Sequence, residues 1–261
     1  MSAGLALAGK TVLLTRARAQ SEESVALLSA HGAKCLVFPV ISIHTPSEPK
    51  PFQHAVASLS AYEWIVFTSV NGVRATLDEV ARQKIANAFS NSKIAVVGSS
   101  TAHALEDAGV HPTLVAKEFR GDALANDLLA TLGEKSRVAI LRAKVAREIL
   151  PDTLRAAGHA VDVIVAYETK PAAPEDAKAI ADALGRGEID FVTFTSASTV
   201  EQFCALFGSH ALRLLEKTRV ISIGPVTTQA AEKLGVAVAK TASPHTVAGL
   251  VDALIEVNTS P

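Results

Sequence analysis

An internal repeat constrains the fold of this 261-residue chain more than any other feature of its sequence. A shift of about 126 residues aligns residues 10–16 with residues 136–142, and residues 94–110 with residues 220–236. The second pair reads IAVVGSSTAHALEDAGV against VISIGPVTTQAAEKLGV, with a glycine, a threonine and the closing Gly-Val in common. A unit of this length is a domain and is too long for a stacked solenoid module, so the repeat predicts two related lobes.

The local pattern within each half is typical of an α/β fold. Short β-branched apolar runs alternate with alanine-rich amphipathic stretches, and glycines follow four of these stretches. Most of the runs are apolar throughout, as in a parallel sheet that helices cover on both faces. The predicted strands are residues 11–15, 35–41, 64–68, 93–97, 138–141, 161–166, 191–195 and 220–223; the predicted helices include residues 21–31, 101–108, 121–132, 148–157, 175–184, 226–234 and 246–255.

Two proline-bearing segments, residues 39–51 and residues 168–174, interrupt this alternation at equivalent places in the repeat. Because proline stops the continuation of both helices and sheets, both segments are predicted to be connectors. A chain that crosses between the two lobes at both points would form a hinge.

The charge balance excludes a general attraction to nucleic acid or to an anionic membrane. Lys and Arg total 25 and Asp and Glu total 26, so an acidic ligand needs locally placed cations and backbone amides. Cys35 and Cys204 are too few for a zinc cluster or a disulfide framework, which favours a reducing compartment. Without a signal peptide or a long apolar run in the sequence, we expect a cytoplasmic protein.

The sequence contains no convincing signature of a cofactor or a metal. Residues 4–11 match the phosphate-loop pattern G-x-x-x-x-G-K-[ST], but a strand follows them where that loop requires a helix. Residues 185–187 lack the third glycine of a dinucleotide fingerprint. No G-x-S-x-G elbow and no metal-type histidine spacing is present, so we expect neither cofactor nor metal.

Loops rich in hydroxyls and glycine follow two strands in each half. Residues 68–72 and 195–199 follow one pair of strands, and residues 98–101 and 224–227 follow the other pair and precede helices. Free amides at helix N-termini and hydroxyls at the carboxyl ends of parallel strands are suited to anions. The same residues are also ordinary helix N-caps, so the sequence leaves both interpretations open.

Three further side chains are candidates for binding or catalysis. Arg16 and Arg142 end equivalent strands, where each guanidinium either captures a carboxylate or is a solvated cation. Tyr167 lies where a strand enters the second connector, so its phenol either donates a proton or hydrogen bond or packs between lobes.

Several of these segments together resemble the uroporphyrinogen-III synthase family. They occur in order along essentially the whole chain, including the closing ASPHT at 242–246 and GLVDAL at 249–254. The motifs that carry the resemblance are FTSVNGV at 67–73, AYET at 166–169, FTSASTV at 194–200 and IGPVT at 223–227.

The resemblance implies an α/β fold of two flavodoxin-like parallel-sheet lobes joined by a two-stranded linker. Residues 1–38 and 172–261 are expected to form lobe 1, and residues 45–166 to form lobe 2. Residues 39–44 and 167–171 are expected to be the interlobe linkers. The first strand and helix would then belong to the lobe built from the C-terminal part of the chain.

The resemblance also implies a cofactor-free cyclising lyase that converts hydroxymethylbilane into uroporphyrinogen III and water. Ring D would be inverted through a spiro intermediate, in the biosynthesis of heme, siroheme and cobalamin. The expected partners are this linear tetrapyrrole polycarboxylate and, transiently, the preceding enzyme of the pathway. The family further implies a monomer that binds neither nucleic acid nor membrane.

Site residues follow from the family motifs position by position. Tyr167 matches the tyrosine proposed to assist loss of the hydroxyl group, and it is the expected catalytic residue. Some relatives carry Arg at the position of Asn71, and others carry Lys at the position of Arg219. The expected substrate-binding residues are Ser69, Asn71, Thr101, Ser196, Ser198, Arg219 and Thr227 from the family motifs, together with the strand-end cations Arg16 and Arg142.

The alternative is a non-catalytic two-lobed hinge protein that binds a small polyanionic metabolite. Such a protein would also lack a catalytic dyad. Tyr167 at the connector and the match along the whole chain favour the enzyme.

Overall fold

The computed structural model of the chain describes residues 5–116, 121–172 and 174–259. The chain divides into two compact units. Unit 1 comprises Met1–Ser42 and Lys170–Pro261, and unit 2 comprises Ile43–Thr169. Unit 1 is therefore built from two separate stretches of sequence, with unit 2 inserted between them.

The sheet of unit 1 has the strand order β11-β10-β9-β1-β2, and its neighbouring strands pair in parallel. The first strand of the chain thus lies beside a strand that is distant in sequence, with Leu14 opposite Thr193. The strands are β1 (Thr11–Leu14), β2 (Lys34–Val37), β9 (Phe191–Phe194), β10 (Arg219–Ser222) and β11 (Lys240–Thr241). The α-helices are α1 (Glu22–Ala30), α7 (Ala177–Arg186), α8 (Ala197–Phe207), α9 (Ala211–Leu215), α10 (Pro225–Lys233) and α11 (Val247–Thr259).

The second sheet has the strand order β3-β8-β7-β4-β5-β6, and β8, β7, β4, β5 and β6 pair in parallel. The strands are β3 (Ile41–His44), β4 (Trp64–Phe67), β5 (Lys93–Val97), β6 (Leu114–Ala116), β7 (Arg137–Ala143) and β8 (Ala160–Pro171). The α-helices of unit 2 are α2 (Pro49–Ala57), α3 (Val70–Gln83), α4 (Ser99–Glu106), α5 (Gly121–Leu129) and α6 (Ile149–Ala156).

In chain order, the strands of unit 1 follow the flavodoxin-like order 2-1-3-4-5, whereas the five parallel strands of unit 2 follow the order 3-2-1-4-5. Two sheets of parallel strands confirm the predicted α/β fold class. The repeat places β7 on β1, β4 on β9 and β5 on β10, and each pair occupies the same position in its sheet. In unit 1 the chain enters at β1 and forms β9 later, whereas in unit 2 it enters at β4 and forms β7 later. The two units therefore have similar sequences and similar sheets, but the chain forms the equivalent strands in a different order.

Buried side chains on both faces of the sheet explain why the strands are apolar throughout. In β4, Ile65 and Phe67 pack into one core and Trp64 and Val66 pack into the core on the opposite face. The alternation follows from the period-two geometry of a strand. Burial of each such side chain contributes roughly 1.5–3 kcal/mol, so both faces of the sheet stabilise the unit.

The two proline-bearing segments, which were predicted to be connectors, contain regular secondary structure. Residues 41–44 within the first segment form β3, and α2 begins at Pro49, since the first turn of a helix needs no proline N–H. In the second segment β8 continues through Pro171, and Ala173 lies outside the described residues. β3 and β8 are neighbours in the sheet order, and the boundaries between the units fall within these strands.

Candidate active site

The carboxyl ends of two central strands define a candidate site in unit 2. Chain connections leave β4 and β7 in opposite directions across the sheet, and ligands of open α/β sheets bind where the strand order reverses in this way. The register sets Phe67 opposite Leu141, so the segments that begin at Thr68 and Arg142 lie side by side. Ser69 and Arg142, both predicted from the sequence, therefore belong to one edge of the sheet.

Ser69 and Tyr167 contact each other at this edge. The Ser69 Oγ accepts a hydrogen bond from the Gly72 N–H at 3.2 Å, which caps α3, and lies 3.0 Å from the Tyr167 hydroxyl. If Ser69 donates its own proton to Tyr167, the phenol proton is free to be given to a ligand. The structure thus brings together the expected catalytic residue and one expected binding residue.

A β-bulge sets the position of Tyr167 on β8. Arg142 pairs with Val165, but the next rung joins Ala143 to Tyr167, so Ala166 is the extra residue. A bulge bends a strand and redirects the side chains beyond it. Tyr167 is only 7% exposed, and its carbonyl accepts a hydrogen bond from the Lys144 N–H at 3.0 Å.

A polar cluster that the sequence analysis missed follows directly after Tyr167. The Glu168 Oε1 accepts hydrogen bonds from the Ser47 N–H at 2.8 Å, the Ser47 hydroxyl at 2.6 Å and the Lys144 ammonium at 3.1 Å. Mainly the two bonds from Ser47, followed by that from Lys144, lower the pKa of Glu168 to about 2. Its place in the AYET motif was the one signal that pointed to this residue.

Arg142 is buried and paired within its own loop. Its guanidinium donates to the Arg147 carbonyl at 2.9 Å and forms an ion pair with Glu148. Its Nε–H is buried and has no hydrogen-bond partner in the part of the chain that the structure describes. Arg142 therefore binds a carboxylate already, although one of its own chain.

Thr101 and Thr227 occupy equivalent buried positions in the two units. Each is the third residue of a helix, α4 or α10, that follows a strand and a glycine. Gly98 has a φ of 78°, a conformation that glycine adopts without steric cost. The first turns of both helices lie at the carboxyl edge of their sheet, but in α10 Pro225 has no N–H and the Thr227 N–H donates to the Gly224 carbonyl at 3.0 Å.

The corresponding edge of unit 1 carries Arg16, Ser196 and Ser198. Ser196 is the N-cap of α8 and forms a capping box with Thr199, and its Oγ lies 2.9 Å from that of Ser198. The Arg16 Nε donates to the Gln20 Oε1 at 2.8 Å. Because Leu14 is opposite Thr193, the segments that follow β1 and β9 are neighbours and bring Arg16 toward this cap.

Asn71 and Arg219 differ in how close they lie to these loops. Asn71 is the second residue of α3 and therefore belongs to the Ser69 turn. Arg219 is the first residue of β10, at the amino end of the strand, where it lies over the Phe191 ring and donates to the Val257 carbonyl at 2.8 Å. The structure does not bring Arg219 to the carboxyl edge of the sheet.

The described residues contain neither a metal-binding cluster nor a membrane-spanning helix. Across residues 5–116, 121–172 and 174–259, no group of His, Cys, Asp or Glu side chains is arranged to hold a metal ion. In the same ranges, no helix combines the length and the apolar character that crossing a membrane requires.

Comparison with known proteins identifies the family. The family model described as "HEM4: Uroporphyrinogen-III synthase HemD" matches residues 22–252. The chain belongs to the uroporphyrinogen-III synthase family. Members of this family are cyclising lyases of tetrapyrrole synthesis, so the family recognised from the sequence motifs is confirmed.

Curated members of the synthase family match almost the whole chain. The "Uroporphyrinogen-III synthase" of Synechococcus elongatus is 30% identical over 255 residues, covering 95% of this chain and 95% of the relative. The "Porphyrin biosynthesis protein HemD" of Ruminiclostridium josui is 30% identical over 252 residues. This chain spans about half, 49%, of the length of that second relative.

Solved synthase structures share the fold. A uroporphyrinogen III synthase mutant from Thermus thermophilus matches with a TM-score of 0.66 and 21% identity, over 95% of this chain and 98% of the other. The enzyme from Helicobacter pylori matches with a TM-score of 0.59 and 20% identity, over 95% and 99% of the two chains. Both comparisons agree with the two parallel sheets described above.

Proposed function

We propose that this protein is a uroporphyrinogen-III synthase that cyclises hydroxymethylbilane with inversion of ring D, releasing water. Family membership over nearly the whole chain supports the reaction. The observation that carries the assignment of the site is the contact of the Tyr167 hydroxyl with the Ser69 Oγ at 3.0 Å. This contact lies at the carboxyl edge of a parallel sheet, where α/β proteins bind ligands.

The proposed chemistry requires one proton transfer and strict control of geometry. The terminal hydroxyl of the substrate leaves as water once it is protonated, which gives an azafulvene. Attack by ring D at its substituted carbon gives a spiro intermediate, and fragmentation followed by closure leaves the ring turned over. The net change is loss of water with no change in oxidation state, so the reaction needs no redox cofactor.

Tyr167 is assigned the proton transfer. Burial and the contact of its hydroxyl with the Ser69 Oγ support a fixed position for the phenol. A positioned general acid typically contributes about 10²–10⁴-fold to a rate. The remainder of the acceleration is assigned to folding of the linear chain into a reactive geometry.

The substrate carboxylates are assigned to the loops at the carboxyl edges of the sheets. Helix N-termini supply amides and a positive dipole end, and the neighbouring hydroxyls add hydrogen bonds. Arg142 can join them only by exchanging Glu148 for a substrate carboxylate, and Arg219 is not part of the proposed site. The proposed binding residues are Arg16, Ser69, Asn71, Thr101, Ser196, Ser198 and Thr227.

We also propose a cellular compartment, an oligomeric state and partners for the enzyme. A cytoplasmic monomer agrees with membership of the family. The proposed partners are the tetrapyrrole substrate and, transiently, the preceding enzyme of the pathway, which makes the unstable linear substrate.

The isomer ratio of the product tests this function. Purified protein is given freshly made hydroxymethylbilane, and the uroporphyrins are separated after oxidation and compared with the protein-free reaction. We expect predominantly the type III isomer. A folded protein that leaves only the spontaneous type I product would instead favour the non-catalytic hinge protein that binds a polyanion.

A further inference from the structure

Tyr167 lies where the regular pairing of its strand is interrupted. The bulge at Ala166 separates Tyr167 from the even register that runs from Ala160 to Val165. Beyond a bulge the sheet no longer dictates by itself where a side chain points. Additional contacts must therefore define the orientation of the phenol.

Residues on both sides of β8 supply such contacts. Lys144, which follows β7, donates its backbone N–H to the Tyr167 carbonyl and its ammonium to the Glu168 carboxylate. Ser47, which lies between β3 and α2, binds the same carboxylate through its N–H and its hydroxyl. The Tyr167 carbonyl is thus bound by Lys144, and the side chain of the next residue, Glu168, is bound by both Lys144 and Ser47.

Stability alone is a poor explanation for this cluster. The Glu168 side chain is 9% exposed, so its carboxylate has lost most of its hydration. Buried ion pairs often stabilise a fold no better than apolar side chains of similar size would. The Lys144 side chain is more than half exposed, and exposed charges contribute little. The cluster does bind Tyr167 and the residue that follows it, through the Tyr167 carbonyl and the Glu168 side chain.

We propose that Ser47, Lys144 and Glu168 are positioning residues for Tyr167. They hold its hydroxyl beside Ser69 in the orientation that protonates the leaving hydroxyl of the substrate. They act through Tyr167 and do not touch the reacting atoms. This inference rests on the proposed function, since it requires Tyr167 to be the acid.

A double-mutant cycle on the full-length protein tests the inference. The variants are Glu168→Gln, Tyr167→Phe and the two combined, and kcat and KM are measured for formation of the type III product. We expect Glu168→Gln to lower kcat about tenfold with little change in KM, as a small misplacement of a catalytic group does. In the Tyr167→Phe background the same change should cost nothing further, because the group that it positions is already absent.

Two further variants separate positioning from a general loss of stability. Glu79→Gln removes a carboxylate that pairs with Arg82 in the same unit and has a similarly buried side chain, 10% exposed. We expect it to leave kcat unchanged. Ser47→Ala removes one donor to Glu168 and should lower kcat less than Glu168→Gln, again only while Tyr167 is present. It also tests the inference if Glu168→Gln fails to fold.

The outcomes distinguish failure of the inference from failure of the function. An equal loss of kcat in both backgrounds, an equal loss in Glu79→Gln, or no loss in Glu168→Gln and Ser47→Ala overturns the positioning role while the synthase activity stands. An unchanged kcat in Tyr167→Phe overturns it as well. Absence of type III product from the unmodified protein overturns the function and the inference together.

Discussion

At one oxygen, Ser69 both caps a helix and contacts the expected catalytic residue. Its Oγ accepts the Gly72 N–H as a helix cap and also contacts the Tyr167 hydroxyl. Ser196, its counterpart in the repeat, caps α8 and contacts Ser198 instead. Capping therefore places a hydroxyl at the edge of each sheet, and the neighbouring side chain decides what that hydroxyl does.

Tyr167→Phe should lower kcat by about 10²-fold or more, because it removes the proposed proton donor. The loss of one hydrogen bond should cost only about 1 kcal/mol in the free energy of unfolding, so the protein remains folded. Initial rates of type III formation and thermal unfolding measure the two effects. An unchanged kcat would remove Tyr167 from the mechanism.

Glu168 should make the protein more stable near neutral pH than in acid. Hydrogen bonding lowers its pKa from 4.5 to about 2 in the folded state, so the unfolded chain binds more protons between these values. Its contribution is complete above the unfolded pKa and is lost as the pH falls toward about 2. In urea unfolding we expect Glu168→Gln to be less stable than the parent at about pH 6, with the difference shrinking in acid. A difference that does not vary with pH would contradict this.

At the scale of elements, the first turn of α3 lies very close to the backbone of β7. A Cβ at Gly72, in the first turn of α3, would lie 3.1 Å from the Leu141 carbonyl oxygen. Leu141 is paired on both sides, with Phe67 and with Ile164, so that carbonyl has little freedom to move. The glycine therefore lets α3 begin close enough to the sheet for Ser69 to reach Tyr167.

Gly72→Ala should destabilise the protein by roughly 1–3 kcal/mol, the usual cost of an overpacked site, and should lower kcat by displacing Ser69. Gly185→Ala is the matched control, since a Cβ there meets nothing within 4 Å. In helix α7 it should instead stabilise by up to about 1 kcal/mol and leave kcat unchanged. Chemical denaturation and type III rates compare the two variants, and equal effects would argue against the close approach.

The proline-bearing segments show the limit of reading elements from local sequence. Proline disrupts a helix at interior positions but is favourable in the first turn. Helix α2 therefore starts at Pro49, where a connector was expected from the sequence. The strands β6 and β11 escaped prediction because they are short, Leu114–Ala116 and Lys240–Thr241. By contrast, the strand at Trp64–Phe67 was predicted correctly, since burial on both faces leaves a continuous apolar run in the sequence.

At the scale of the whole molecule, one unit is formed by a continuous stretch of the chain and the other by its two ends. Unit 2 is continuous from Ile43 to Thr169 and contains β4 to β7 and most of β8. Unit 1 needs both ends of the chain, because β9 pairs with β1. The two units should therefore respond differently to removal of sequence.

A fragment of residues 43–169 should fold by itself. We expect a circular dichroism spectrum typical of mixed helix and strand, and cooperative unfolding in urea. The fragment keeps the strand neighbours of β4 and the cores on both faces of its sheet. A fragment of residues 170–261 should remain unfolded, because β9 loses β1 and the core loses Val12 and Leu14. If the first fragment is unfolded, unit 2 depends on unit 1 for its stability.

By itself the sequence determined the repeat, the α/β class, most strands and helices, and the loops in which Ser69, Thr101, Ser196 and Thr227 lie. Hydrophobic period, caps and motifs are local properties, so each can be recognised within a short window. Only the tertiary structure decided that β1 pairs with β9, that a bulge sets Tyr167 beside Ser69, and that Glu168 is bound by Ser47 and Lys144. These contacts join residues far apart in the chain, and their partners depend on strand order and register, which no local window contains.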